Sequence, residues 1–117
     1  MAMLLSLLAF LGSAVEEGLP PEEKKKIEAL IEVVEKLPGA KMLRNGAEYD
    51  AKTAGRFLRG KWDSSKKQIK SVQDFLDKAA TVSSTSGKPY EILFGNGKKV
   101  TAKEFFLEEL ERLKKKE

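Results

Sequence analysis

The chain has 117 residues and a formal net charge of +4, with 34% charged and 41% hydrophobic residues. That length and balance suit one globular domain and exclude a disordered polyelectrolyte. It contains no Cys and no His. Disulfide frameworks, thiol chemistry, imidazole general bases and the usual zinc sites are therefore excluded, and nothing in the residues asks for a metal or cofactor.

Residues 1–15 carry no charged side chain. As a helix they would span roughly 22 Å at about 1.5 Å per residue, short of a bilayer core of about 30 Å. The stretch fits the apolar region of an export signal. Gly12 and Ala14 stand at the two positions a signal peptidase reads, which predicts cleavage after Ala14. No Lys or Arg precedes the apolar run, so the α-amino group supplies its only positive charge. The expected organisation is a signal peptide over 1–14, a flexible mature N-terminus over 15–21 and one domain over 22–117. The expected compartment is the periplasm or the exterior, with no membrane span in the mature protein.

Pro20-Pro21 followed by Glu22 and Glu23 is a helix start, since Pro suits the first turn and acids suit its dipole. Ile27, Leu30, Ile31, Val34 and Leu37 form one apolar stripe, which Pro38-Gly39 ends. A short strand over 41–44 meets Asn45-Gly46, a tight-turn pair, and then Glu48-Tyr49. Asp50 is placed to cap a second helix whose buried face carries Ala54, Phe57, Leu58 and Trp62. Ser71-Val72-Gln73-Asp74 has capping-box spacing and opens a third helix with Val72, Phe75, Leu76, Ala79 and Ala80 facing inward.

That helix runs into Thr81-Val82-Ser83-Ser84-Thr85-Ser86-Gly87-Lys88-Pro89-Tyr90, the densest hydroxyl cluster of the chain. Strand alternation follows over 90–94, a Gly95-Asn96-Gly97 turn, and a return strand over 98–100. Thr101 with Glu104 makes a capping box for a last helix expected to bury Phe106, Leu107, Leu110 and Leu113, with Phe105 at its edge. The fold class is α+β: about four helices on a small antiparallel sheet, the hairpin 90–100 joined by the strand near 42–44.

From Met42 to Leu113 the chain resembles the YfeK-like family of small exported bacterial proteins, a group of unknown function. The resemblance rests on Leu43-Arg44-Asn45-Gly46, Ala54 with Leu58-Arg59-Gly60-Lys61, Ile69 with Phe75-Leu76-Asp77-Lys78-Ala79-Ala80, and Ser83-Ser84 with Ser86-Gly87-Lys88-Pro89-Tyr90. It implies export to the periplasm of a Gram-negative bacterium and supplies no catalytic residues. The uncharged start departs from the basic region expected of an exported member.

Three functions compete. The first is a non-enzymatic exported binding module for a protein or a small anionic ligand. Its face would comprise Arg44, Asn45, Arg59, Lys61, Ser84, Ser86, Lys88 and Tyr90, where basic and hydroxyl residues gather in the matched stretches. The second is a nucleic-acid or other polyanion surface over residues 56–70, where six basic residues and Trp62 face one acid, Asp63. Solvation of a helix face explains that run more simply, and export argues against a chromosomal target. The third is a Ser–Lys hydrolase. Gly87-Lys88 lacks the upstream glycine and the following Ser or Thr of a phosphate loop, and Thr85 stands where a Ser-x-x-Lys nucleophile should be.

Overall fold

The computed structural model describes residues 19–116; the export signal expected over 1–14 lies outside them. Helix α1 spans Pro21–Glu35, with Pro21 in its first turn and Glu22 and Glu23 beside its positive end. Strands β1 (Lys41–Arg44) and β2 (Ala47–Asp50) form a hairpin. Helix α2 (Ala51–Ser64) starts where β2 ends, and the Asp50 carboxylate accepts from Thr53 N–H at 2.8 Å. That bond, from backbone and then hydroxyl of Thr53, holds the Asp50 carboxyl below its ordinary pKa.

A 3₁₀ turn over Lys66–Gln68 leads to α3 (Val72–Phe75), where Ser71 Oγ accepts from Asp74 N–H at 3.0 Å. The chain then widens into a π-helix over Leu76–Ala80. Widening leaves carbonyls in need of partners, and the Thr81 hydroxyl donates to Leu76 O at 2.8 Å. The second hairpin is β3 (Glu91–Leu93) and β4 (Lys99–Thr101), and α4 (Ala102–Lys116) follows at once. Thr101 Oγ1 accepts from Glu104 N–H at 3.1 Å, the expected cap.

The sheet order is β2-β1-β3-β4, antiparallel throughout. Met42 lies opposite Ile92 and Tyr49, and Ile92 opposite Val100, so these four share the face turned to the helices. Helix α2 packs against β1 and β2, α4 against β3 and β4, and α1 bridges α2, α3 and α4. One continuous core results, in which Ile27, Leu30, Leu58, Phe75, Phe106 and Ile92 are essentially inaccessible to water. The architecture is α+β, and the hairpin 90–100 is joined through β1 as expected.

The last helix corrects one expectation. Phe105 and Phe106 are both buried, whereas Leu107 is 41% exposed and Leu110 and Leu113 only half-buried. Because β4 runs directly into α4, the sheet fixes the phase of the helix. Ala102 is seated by its N–H donating to Tyr90 O at 2.8 Å, and Phe105 meets Phe94 with ring centroids 6.1 Å apart. Phe106→Ala should therefore cost about 3–5 kcal/mol in urea unfolding, and Leu107→Ala no more than about 0.5 kcal/mol.

Candidate functional site

In the β1–β2 turn Asn45 has φ 51° and Gly46 φ 82°. Positive φ at both central positions is the type I′ hairpin geometry that Asn-Gly adopts most readily. It brings Asn45 to the 81–90 loop. Asn45 Nδ2 donates to Ser83 Oγ at 3.1 Å, and Ser86 Oγ donates to Asn45 Oδ1 at 2.6 Å.

Ser83 is the centre of that loop and is buried. Its hydroxyl oxygen also accepts from Thr85 N–H and Ser86 N–H, both at 3.2 Å. Ser83 Oγ also shares a hydrogen bond with Thr85 Oγ1, 3.0 Å away, in which either hydroxyl can donate. The backbone closes around it: Ser83 N–H donates to Lys88 O, Gly87 N–H to Ser83 O, and Tyr90 N–H to Thr81 O. Val82 and Pro89 form an isolated antiparallel bridge. Gly87, at φ 73°, makes the left-handed bend that closes the loop.

This accounting decides what the loop can do. The amides of Thr85, Ser86 and Gly87 are spent on Ser83, and Lys88 N–H donates to Ser86 Oγ at 3.2 Å. They are not presented to a ligand as an anion-binding nest or an oxyanion hole. Lys61 Nζ does donate to Ser84 Oγ at 3.2 Å, but Ser84 is exposed and no apolar wall encloses the pair. Side chains are the main groups this surface leaves for recognition.

Of the expected residues, Asn45 and Lys88 border a shallow groove of about 380 Å³ beside the hairpin tip. Leu43 and Pro89 supply its apolar part, and Asn45, Lys88, Glu48 and Glu91 its polar part. Leu43 lies opposite both Glu48 and Glu91 in the sheet register, on the face turned away from the helices. The structure thus gathers Asn45, Lys61, Ser84, Ser86 and Lys88 on neighbouring surface.

The other three expected residues lie elsewhere. Arg44 points to the helix side, its guanidinium 4.2 Å from the Phe57 ring centroid and donating to Tyr49 OH at 3.0 Å. Tyr90 is 1% exposed and meets Phe57 edge-on. Burial raises its pKa, an effect that neighbouring Arg44 partly offsets. Both face inward because strand alternation places them with Met42 and Ile92. Arg59 reaches back to α1, donating to the Glu35 carboxylate at 3.0 and 3.3 Å, and this bond raises its pKa. The contact depends on Gly55, where a Cβ would collide with Glu35.

The basic stretch 56–70 does not form one face. Arg59 pairs with Glu35, Lys61 serves the loop, and Lys66 pairs with Asp63 at 3.7 Å. Trp62 is buried edge-on against Phe75, so it offers no exposed platform for a base. Its Nε1 is buried with no hydrogen-bond partner. The binding face expected from the sequence leaves out Ser83, which enters there only in the family-like motif and the hydroxyl run, and also Glu48 and Glu91. The i, i+2 and i, i+3 hydroxyl spacing from Ser83 and the alternation of β1 carried the signals for them.

The Ser83 network yields a test. Ser83→Ala removes an acceptor shared by three N–H donors and should cost about 1–3 kcal/mol in urea unfolding, while Ser84→Ala should change stability by no more than about 0.5 kcal/mol.

Two comparisons with known proteins bear on this arrangement, and no solved structure matches. The chain is 29% identical over 89 residues to the uncharacterized protein YfeK of Salmonella typhimurium, covering 76% of this chain and 69% of that protein. Residues 21–114, from the start of α1 to the last turns of α4, match a family of unknown function (DUF5329), and the chain belongs to that family.

Proposed function

We propose that the protein is an exported, non-enzymatic binding module that holds a polypeptide partner against the groove beside the 81–90 loop. The observation that carries this reading is the Ser83 hub, which locks the β1–β2 turn to the loop while engaging the amides of Thr85, Ser86 and Gly87. A phosphate-type ligand would rely on such amides. A polypeptide offers both charges, and the groove offers Lys88 against Glu48 and Glu91. Lys61 and Lys88 enter no ion pair among the described residues, so each remains available to a partner's carboxylate. The preformed loop reduces the ordering cost of binding. The engagement of the Thr85, Ser86 and Gly87 amides also weighs against an oxyanion hole for a hydrolase built on Lys61 and Ser84.

Export is the second half of the proposal and rests on the uncharged stretch 1–15 and on small residues at Gly12 and Ala14. Protein made in a Gram-negative host should be recovered from the periplasm with Val15 as its first residue. Sequencing that returns Met1 from the cytosol would remove this half. Partners captured from a periplasmic extract should be lost with Lys61→Glu/Lys88→Glu and kept with Arg59→Gln. Identical capture by all three proteins would sink the assigned face.

A further inference from the structure

The chain has two asparagines, Asn45 and Asn96, and a glycine follows each. Asn-Gly is the pair most prone to lose its side-chain amide without a catalyst. The backbone nitrogen of the glycine attacks the Asn Cγ, the bond from Cγ to Nδ2 breaks, and the proton shed by the glycine nitrogen leaves with the amine as ammonia. A cyclic succinimide remains. Water then opens one of its carbonyl–nitrogen bonds, which yields aspartate or the isomer with an extra methylene in the backbone. Glycine favours the attack because it has no Cβ to crowd the ring. The reacting pair is the same at both positions, so the fold decides between them.

At Asn45 the 81–90 loop holds both ends of the amide. Nδ2, the leaving group, donates to Ser83 Oγ at 3.1 Å, and Oδ1 accepts from Ser86 Oγ at 2.6 Å. Ring closure expels Nδ2 from Ser83 and turns Oδ1 away from Ser86, and these partners lie 38 and 41 positions along the chain. The nucleophile itself is unguarded: Gly46 is exposed, and its N–H enters no hydrogen bond among the described residues. At Asn96 only local bonds act. Its Oδ1 accepts from Lys98 N–H at 2.9 Å, and Gly97 N–H donates to Phe94 O at 2.9 Å. Both close within one hairpin turn whose residues 95–98 are exposed, so fraying of that tip breaks them together.

We propose that Asn45-Gly46 is a latent deamidation site that the 81–90 loop holds shut, and that Asn96-Gly97 is the site that converts in the folded protein. Conversion at Asn45 has consequences that conversion at Asn96 lacks. The new carboxylate has no N–H to give Ser83 Oγ. It joins Glu48 and Glu91 against Lys88 beside the groove, which makes the groove more acidic. The isomer lengthens the type I′ turn by one backbone carbon and breaks the match between turn and strands that sets the β1–β2 register. The inference rests on the hydrogen bonds of the loop and not on what the groove binds.

The test incubates the folded protein at mildly alkaline pH and follows amide-to-acid conversion at each asparagine by peptide mass spectrometry. Asn45 should convert about tenfold more slowly than Asn96, the scale set by the two long-range hydrogen bonds that must break. Ser86→Ala removes the bond to Oδ1 and should raise the Asn45 rate severalfold, while the Asn96 rate of the same molecules stays unchanged. Ser84→Ala, whose lost hydroxyl bonds neither asparagine, should leave both rates as they are. In concentrated urea the two sites should convert at similar rates. The proposal is overturned if Asn45 keeps pace with Asn96 in the folded wild type, or if Ser86→Ala leaves the Asn45 rate unchanged or raises both rates alike. Slow conversion of Asn45 in urea would overturn it too, because the protection would then not come from the fold.

Discussion

A sheet whose strands are three or four residues long cannot stabilise itself, and that constraint organises the molecule. Each strand presents one or two side chains to the helices. Met42 and Ile92 are the fully buried pair at its centre, and they sit opposite one another in β1 and β3. Isolated hairpins of this size are marginal in water. The two hairpins become one sheet because α2 and α4 emerge directly from β2 and β4 and fold back over the same face. α1 then closes the core with Ile27, Leu30, Ile31 and Val34. Burying a Leu or Ile side chain contributes about 1.5–3 kcal/mol, so this helical cover supplies far more than the few ladder bonds.

The same constraint explains why the 81–90 loop is built so tightly. It carries the chain from the π-helix to β3, and any slack there would let β3 slip against β1. A one-residue slip would turn Ile92 outward and Glu91 inward. Ser83 prevents this by tying the loop to itself and, through Asn45, to the turn beyond β1. The loop hydroxyls thus hold sheet register, and only the side chains left at the surface have chemistry to offer. Lys61, Ser84 and Lys88 belong to that group, whereas Ser83, Arg44 and Tyr90 belong to the scaffold.

Local chemistry was legible wherever a few neighbouring residues decide the outcome. The caps at Asp50, Ser71 and Thr101 and the Asn45-Gly46 turn all form where the residue order places them, because each is closed within four residues. The apolar stripe of α1 was legible because a single face is buried. The phase of α4 was not, since Phe105, Phe106 and Leu107 offer two overlapping stripes and only the junction with β4 chooses between them. The candidate site was legible in part for a similar reason. Alternation along β1 could have separated Arg44 from Asn45, but the partner of Arg59 lies 24 positions away on α1 and leaves no local trace.

Arg59 shows how a basic residue in a family-like motif can be structural. Its guanidinium spans the α1–α2 contact to the Glu35 carboxylate, beside Gly55, where a Cβ would collide with Glu35. Lys61, two residues on, points around the helix to the loop instead. A step of two residues turns an α-helix by about 200°, so side chains so spaced face nearly opposite ways. The run of basic residues that reads as one surface in the sequence is thereby divided among the α1–α2 seam, the 81–90 loop and the end of α2, where Lys66 pairs with Asp63.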